Sequence, residues 1–184
     1  MTLFPFDDLN RLEADGEALK SPDTATKKGE VDKYIDEVTD LFVMAYVYGT
    51  MDASAQLGEQ IAPDMTKARA VIEERFNGKD YKDRISEYLS DGTDYDIRRV
   101  LETDAHRVYN AGLFDAAKQG GATMKTWETM LDDRVRDSHF YLQGVTIPID
   151  AEFYSFNGNR TMYPGQWGVP EEDCNCRCWV TFTR

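Results

Sequence analysis

The sequence predicts an α+β protein in which a helical N-terminal part precedes a small β-rich C-terminal module with hairpins. Three observations carry that prediction. Apolar residues recur at three- and four-residue steps as far as residue 119, the pair Gly120-Gly121 then interrupts the pattern, and beyond it short alternating runs are separated by Gly and Pro. With 184 residues and 41% apolar content the chain can bury a real core. Residues 1–30, with Ser21-Pro22-Asp23, read as a flexible arm, 31–121 as the helical region, and 122–184 as the β-rich module packed on helix 94–119 as one domain.

Val31, Ile35, Val38, Phe42, Ala45 and Gly49 place an amphipathic helix over about 30–56, its apolar face widened by Leu41, Met44 and Tyr48. A second helix is expected over 63–76, with Ala68, Val71, Ile72 and Phe76 inward and Asn77-Gly78 closing it; Lys82 to Leu89 is a shorter candidate. The best-delimited helix covers 94–119. Thr93 can cap it, Asp94 and Asp96 favour its positive end, Gly120-Gly121 ends it, and Ile97, Leu101, Val108 and Phe114 face the core. Val145 to Ile149 reads as a strand that Pro148 confines to an edge or bulge. Phe153–Phe156 and Arg160–Tyr163 flank Asn157-Gly158-Asn159, a tight hairpin turn, and Cys178 to Phe182 is the last strand.

Charge and cysteine content bound the function. A net charge of −13, from 21 Lys and Arg against 34 Asp and Glu, argues against bulk nucleic-acid binding, which needs clustered cations, although a local basic patch stays compatible. The longest apolar window, Leu41 to Tyr48, falls well short of the roughly twenty residues needed to span a bilayer. Together with an N-terminus that lacks a basic n-region, this leads to the expectation of a soluble protein without a signal peptide and without membrane contact. Cys174, Cys176 and Cys178 lie too close together to staple distant loops, so a reducing cytoplasm is the expected place of synthesis.

Three constellations could carry chemistry. Asp104, Arg107 and Asn110 stand on successive helical turns, either as a solvated ion pair or as a polar stripe beneath the β module that positions Arg134 or His139. Asp132 to His139 is rich in charge; if extended, it turns Asp132, Arg134 and Arg136 to one face. Two parallel guanidiniums beside His139 could cradle a phosphate or carboxylate with His139 as general acid or base, or the same groups could neutralise one another as a structural network. Cys176 and Cys178, about 6.7 Å apart along one face of a strand, could join His139 and one further ligand around zinc, or pack as reduced small hydrophobes. Cys174 fits a core or turn position after Glu171-Glu172-Asp173.

Thr103-Asp104 with Arg107 and Asn110, then Trp127, Asp132, Arg134, Arg136, His139, Gly144, Pro164-Gly165 and Asn175-Cys176-Arg177-Cys178 come in an order that resembles the Mu F-like, SPP1 gp7-like family of phage minor head proteins. The resemblance covers roughly residues 95–182, with Asp104 in place of the family's Glu and Cys174 as an additional cysteine. It implies a minor capsid protein of the virion head interior, made in the host cytoplasm, that binds portal or capsid proteins during head assembly and aids DNA packaging or ejection, with local contact to packaged DNA. It implies no catalytic mechanism and no cofactor. Asp104, Arg107, Trp127, Asp132, Arg134, Arg136, His139 and Arg177 are then expected to form a structural network. Two rivals stand beside that expectation: a small nuclease or nucleotide-using, toxin-like transferase built on His139, Arg134 and Arg136, and a zinc-stabilised interaction module using Cys176, Cys178 and His139.

Overall fold

The computed structural model describes residues 6–20, 28–75, 78–91 and 97–184. Five helices come first: α1 (Phe6–Leu19), α2 (Lys28–Leu57), α3 (Met65–Ile72), α4 (Tyr81–Asp91) and α5 (Ile97–Gln119). They are followed by β1 (Met124–Glu128), α6 (Asp137–Phe140), β2 (Thr146–Pro148), β3 (Phe153–Tyr154), β4 (Arg160–Thr161), α7 (Pro170–Asp173) and β5 (Trp179–Thr183). The fold is therefore α+β, helical first and antiparallel-stranded last.

The most extensive contact between elements is α2 against α5. Its closest point is two glycines. A Cβ on Gly49 would stand 2.1 Å from the Tyr109 carbonyl oxygen, and one on Gly112 would stand 2.2 Å from that of Tyr46. Only a residue without a side chain lets two helix backbones meet this closely. Tyr46 and Tyr109 flank the crossing and send their hydroxyls to Asp115 at 2.8 Å and Asp52 at 2.5 Å, so each buried phenol is paired. Ile97, Leu101, Val108 and Phe114 of α5 are buried, as the periodicity requires.

Local signals set the helix ends. Asp64 accepts from the N–H groups of Thr66 and Lys67 and starts α3, which is shorter than the 63–76 expected. At the end of α5, Gly121 takes φ +77° while Ala122 N–H donates to Ala117 O at 3.0 Å and Gly121 N–H to Lys118 O at 3.2 Å, the paired bonds of a glycine stop. The expected cap at Thr93, with Asp94 and Asp96, lies outside the described residues, as do Phe76, Asn77 and Ser21-Pro22-Asp23. Within the segment read as an arm, α1 buries Leu9 and Leu12 in the core.

The main sheet has the order β2-β1-β5, with both pairings antiparallel. Trp127 of β1 faces Val180 of β5, and Lys125 faces Phe182. β2 lies at an edge, where Pro148 removes no ladder bond that a neighbour needs. The hairpin over Asn157-Gly158 is present with strands of two residues each, pairing Phe153 with Thr161 and Tyr154 with Arg160. One apolar cluster runs through both parts, from Leu9 to Phe182, and β5 packs on α2 and α5.

Candidate functional site

Asp104, Arg107 and Asn110 lie on the face of α5 that looks into the C-terminal module, and all three are buried. Arg84 of α4 donates to Asp104 at 2.8 Å and Arg107 donates to it at 3.2 Å. Arg107 also donates to the Val71 carbonyl at 2.7 Å and to Glu74 at 3.1 Å. Asp104 thus holds Arg84 and Arg107, not the Arg134 or His139 of the alternative reading. The adjoining cavity, about 80 Å³ and lined by Arg84, Asp104, Arg107 and Asp173, is far below the several hundred Å³ of a nucleotide-sized site. Burial raises the Asp173 carboxyl above its ordinary range even though the N–H groups of Trp167 and Gly168 bond it at 3.0 and 2.8 Å.

The same helix face receives the terminal segments. Gly165 takes φ +86° in the Pro164-Gly165 turn, and a Cβ there would stand 3.0 Å from Arg107 Cα. Asn175, at φ 55°, donates its N–H to Thr103 Oγ1 at 3.4 Å, and Asn110 Nδ2 donates to the Cys178 carbonyl at 3.3 Å and to that of His106 at 3.1 Å. Thr103, Arg107 and Asn110 therefore form one docking seam with Gly165, Asn175 and Cys178. Segments some 60 to 70 residues apart in sequence meet along it.

Beyond the seam lies a second buried nucleus around His139, which is 1% exposed and stands on the one-turn helix α6. Its ring stacks on Trp167 with centroids 5.6 Å apart and meets the edge of Trp127 at 5.5 Å. Nδ1 faces Cys178 Sγ at 3.5 Å and Cys176 Sγ at 3.6 Å. On the opposite side Nε2 lies 3.1 Å from Glu172 Oε2, within ion-pair reach although not aligned for a straight hydrogen bond. Glu172 is itself buried and accepts from Ser138 at 2.7 Å, Asn157 at 3.1 Å and Asn159 at 3.3 Å. Burial works against its ionisation, but these three donors and His139 outweigh it and hold the carboxyl below its ordinary value. Between the thiols, the Cys178 neighbour and burial push Cys176 up, while the Cys176 neighbour pulls Cys178 down against burial, helped by Trp127, Arg136 and Arg177.

The acidic and basic run before His139 is a turn followed by α6, so the arrangement conditional on an extended strand does not occur. Asp132 causes the reversal: its carboxylate accepts from Arg134 N–H at 3.1 Å, and its carbonyl accepts from Val135 N–H at 3.2 Å. Arg134 points outward, with 74% of its side chain exposed and Asp132 at 3.8 Å, whereas Arg136 turns inward and donates to the Cys174 carbonyl. The two guanidiniums do not face the same way. Arg177 grips Asp132 with two bonds, at 2.8 and 2.5 Å, and this fork holds the carboxyl down at about 2. Of the eight residues expected in one network, Asp104 and Arg107 belong to the α5 nucleus, while Trp127, Asp132, Arg136, His139 and Arg177 surround the Cys segment and Arg134 sits at its rim.

Sequence reasoning missed four partners. Arg84 and Glu172 sit in charge-rich stretches that read as solvated, and Trp167 follows a turn with no periodic signal. Lys125 is fully buried on β1, where its ammonium donates to the Met162 carbonyl at 2.7 Å and stands 4.9 and 5.2 Å from the Phe114 and Phe153 rings. Burial lowers its pKa to about 8. The alternation of β1 was its available signal, because Lys125 shares the inward face with Trp127.

Comparisons with known proteins match the part of the chain that carries these residues. The chain is 37% identical over 88 residues, 46% of its length, to a protein of Bacillus phage SPP1 named minor head protein GP7, covering 29% of that protein. It is 28% identical over 127 residues, 65% of its length, to a protein of Enterococcus faecalis named NAD(+)–arginine ADP-ribosyltransferase EFV, covering 25% of it. The chain thus spans under a third of the length of either relative. No solved structure matches it. No helix among the described residues is long and apolar enough to cross a membrane. Residues 58–181, from the end of α2 to β5, match the family model described as Phage Mu protein F like protein, and the chain belongs to that family.

Proposed function

We propose that this protein is a phage minor head protein that binds portal or capsid proteins during head assembly, acts without catalysis, and resides in the head interior, where it aids DNA packaging or ejection. Family membership and the SPP1 relative named as a minor head protein support the head role. The observation that carries the non-catalytic reading is the fate of the family motifs. Thr103, Arg107, Asn110, Gly165, Asn175 and Cys178 are used in docking α5 to the C-terminal module, Asp104 holds Arg84 and Arg107, and His139 is buried among aromatic rings and sulfurs. The excess of 34 acids over 21 bases fits a protein-binding role better than genome wrapping.

The test is sedimentation of infected-cell lysates. The protein is expected in fractions that contain portal-bearing procapsids; recovery only as free protein would overturn the reading. One observation favours a nucleotide-using transferase instead, namely the Enterococcus relative bearing a transferase name. In that reading the exposed Arg134 holds phosphate, without the inward-turned Arg136 and the buried His139 that the sequence had offered beside it, and transfer would vanish in Arg134→Ala without loss of fold. Arg134 is the residue to change because its exposed side chain can be removed without disturbing the core.

A further inference from the structure

His139, Cys176 and Cys178 offer three buried ligand atoms, Nδ1 and two Sγ, that all lie within 4.8 Å of one another. Nδ1 stands 3.5 and 3.6 Å from the two sulfurs. A tetrahedral zinc ion, with Zn–S near 2.3 Å and Zn–N near 2.0–2.1 Å, sets its nitrogen and sulfur ligands about 3.6 Å apart. We propose that His139 Nδ1, Cys176 Sγ and Cys178 Sγ bind one zinc ion that joins α6 to the strand-forming C-terminus.

Two further features point the same way. An imidazole nitrogen has one lone pair, so Nδ1 cannot accept a good hydrogen bond from both thiols at once. A divalent cation uses that lone pair and both sulfurs together: each Cys S–H loses its proton to solvent, and two S–Zn bonds and one N–Zn bond form. Behind the ring, Glu172 approaches Nε2 at 3.1 Å and is held in place by Ser138, Asn157 and Asn159. A carboxylate on the far nitrogen of a histidine is the usual support of a metal-bound ring, because it favours the Nε2–H tautomer and makes Nδ1 more basic. These three protein ligands leave one position of the tetrahedron for water. Cys174, half-buried and outside the three-ligand set, is the internal control. The inference is independent of the head-assembly reading, since a structural ion suits a head protein and a transferase alike.

The experiment is a cobalt(II) titration of the full chain, purified under reducing conditions and stripped with a chelator. The expected result is a tetrahedral visible spectrum with a thiolate charge-transfer band sized for two sulfurs, saturating at one equivalent per chain and abolished by one equivalent of zinc. Cys174→Ser is expected to retain that spectrum and the Cys176→Ser, Cys178→Ser double variant to lose it. Glu172→Gln keeps all three ligands and is expected to bind about 10- to 100-fold more weakly, which tests the site if the double variant does not fold. If stripping unfolds the protein and one equivalent of zinc refolds it, the proposal is likewise supported. Absence of a tetrahedral spectrum in the stripped, folded protein, or equal binding by a folded double variant, would overturn it.

Discussion

The α2–α5 pair and the C-terminal module are held together by opposite means. Between α2 and α5 the determining feature is an absence: Gly49 and Gly112 let Tyr109 and Tyr46 carbonyls approach where any Cβ would collide. In the C-terminal module the strands are two to five residues long, too short for ladder bonds and apolar area alone to hold. There and on the α5 face beneath it the chain buries charged and polar groups, Asp104, Arg107, Lys125, His139 and Glu172, and gives them partners 20 to 37 residues away in sequence. The comparison teaches that long helices here depend on shape, while the small β module depends on polar partners that must all be present.

The largest expected effect breaks the polar side of that comparison. Asp104→Ala leaves Arg107, with its side chain 3% exposed, and Arg84 without their shared carboxylate. Removing one partner of a buried ion pair costs about 3–5 kcal/mol, so the urea midpoint should fall sharply with an unchanged slope. Gly112→Ala tests the steric side: the added methyl meets Tyr46 backbone, and the helices must separate at a cost of about 1–3 kcal/mol by the same measurement. A variant as stable as the parent would refute the close approach.

A pH series sharpens the contrast further. Lys125 titrates near 8 when folded and at 10.5 when unfolded, so between those values the unfolded chain holds the extra proton and stability rises as pH increases. Below about pH 8 both states are protonated and the burial penalty stays constant. The unfolding free energy of the parent relative to Lys125→Met should climb across that window, a difference that cancels the buried tyrosines and Cys176, whose raised pKa values act in the opposite direction. The smallest effect belongs to Gly29→Ala. This helical glycine has nothing within 4 Å of its missing Cβ, and the change should stabilise by a few tenths of a kcal/mol through helix propensity alone.

How much was legible follows from the range of each signal. The helices observed as α2 and α5 were placed to within a few residues because their apolar spacing and glycine stop are local, and the Asn157-Gly158 hairpin declared itself through turn chemistry. The grouping of Cys176, Cys178 and His139 was also readable as one open alternative, since alternation puts both sulfurs on one side. Glu172, Arg84 and Trp167 were not readable. Their spacing carries no mark of what they face, and the charged stretches containing Arg84 and Glu172 look like ordinary solvated surface.

Element type, the division between helical and stranded halves, and the membership of the motif residues in one ordered series were determined by the sequence by itself, because propensity, period and turn chemistry act over a few neighbouring residues. Which distant carboxylate meets which cation was decided by tertiary structure alone. Asp104 chose Arg84 besides the Arg107 that helical spacing already offered, Arg177 chose Asp132, and Glu172 stands behind His139, where tertiary packing brings together groups tens of residues apart. Burial then made each choice decisive, since a charged group away from water has to find its partner within the fold.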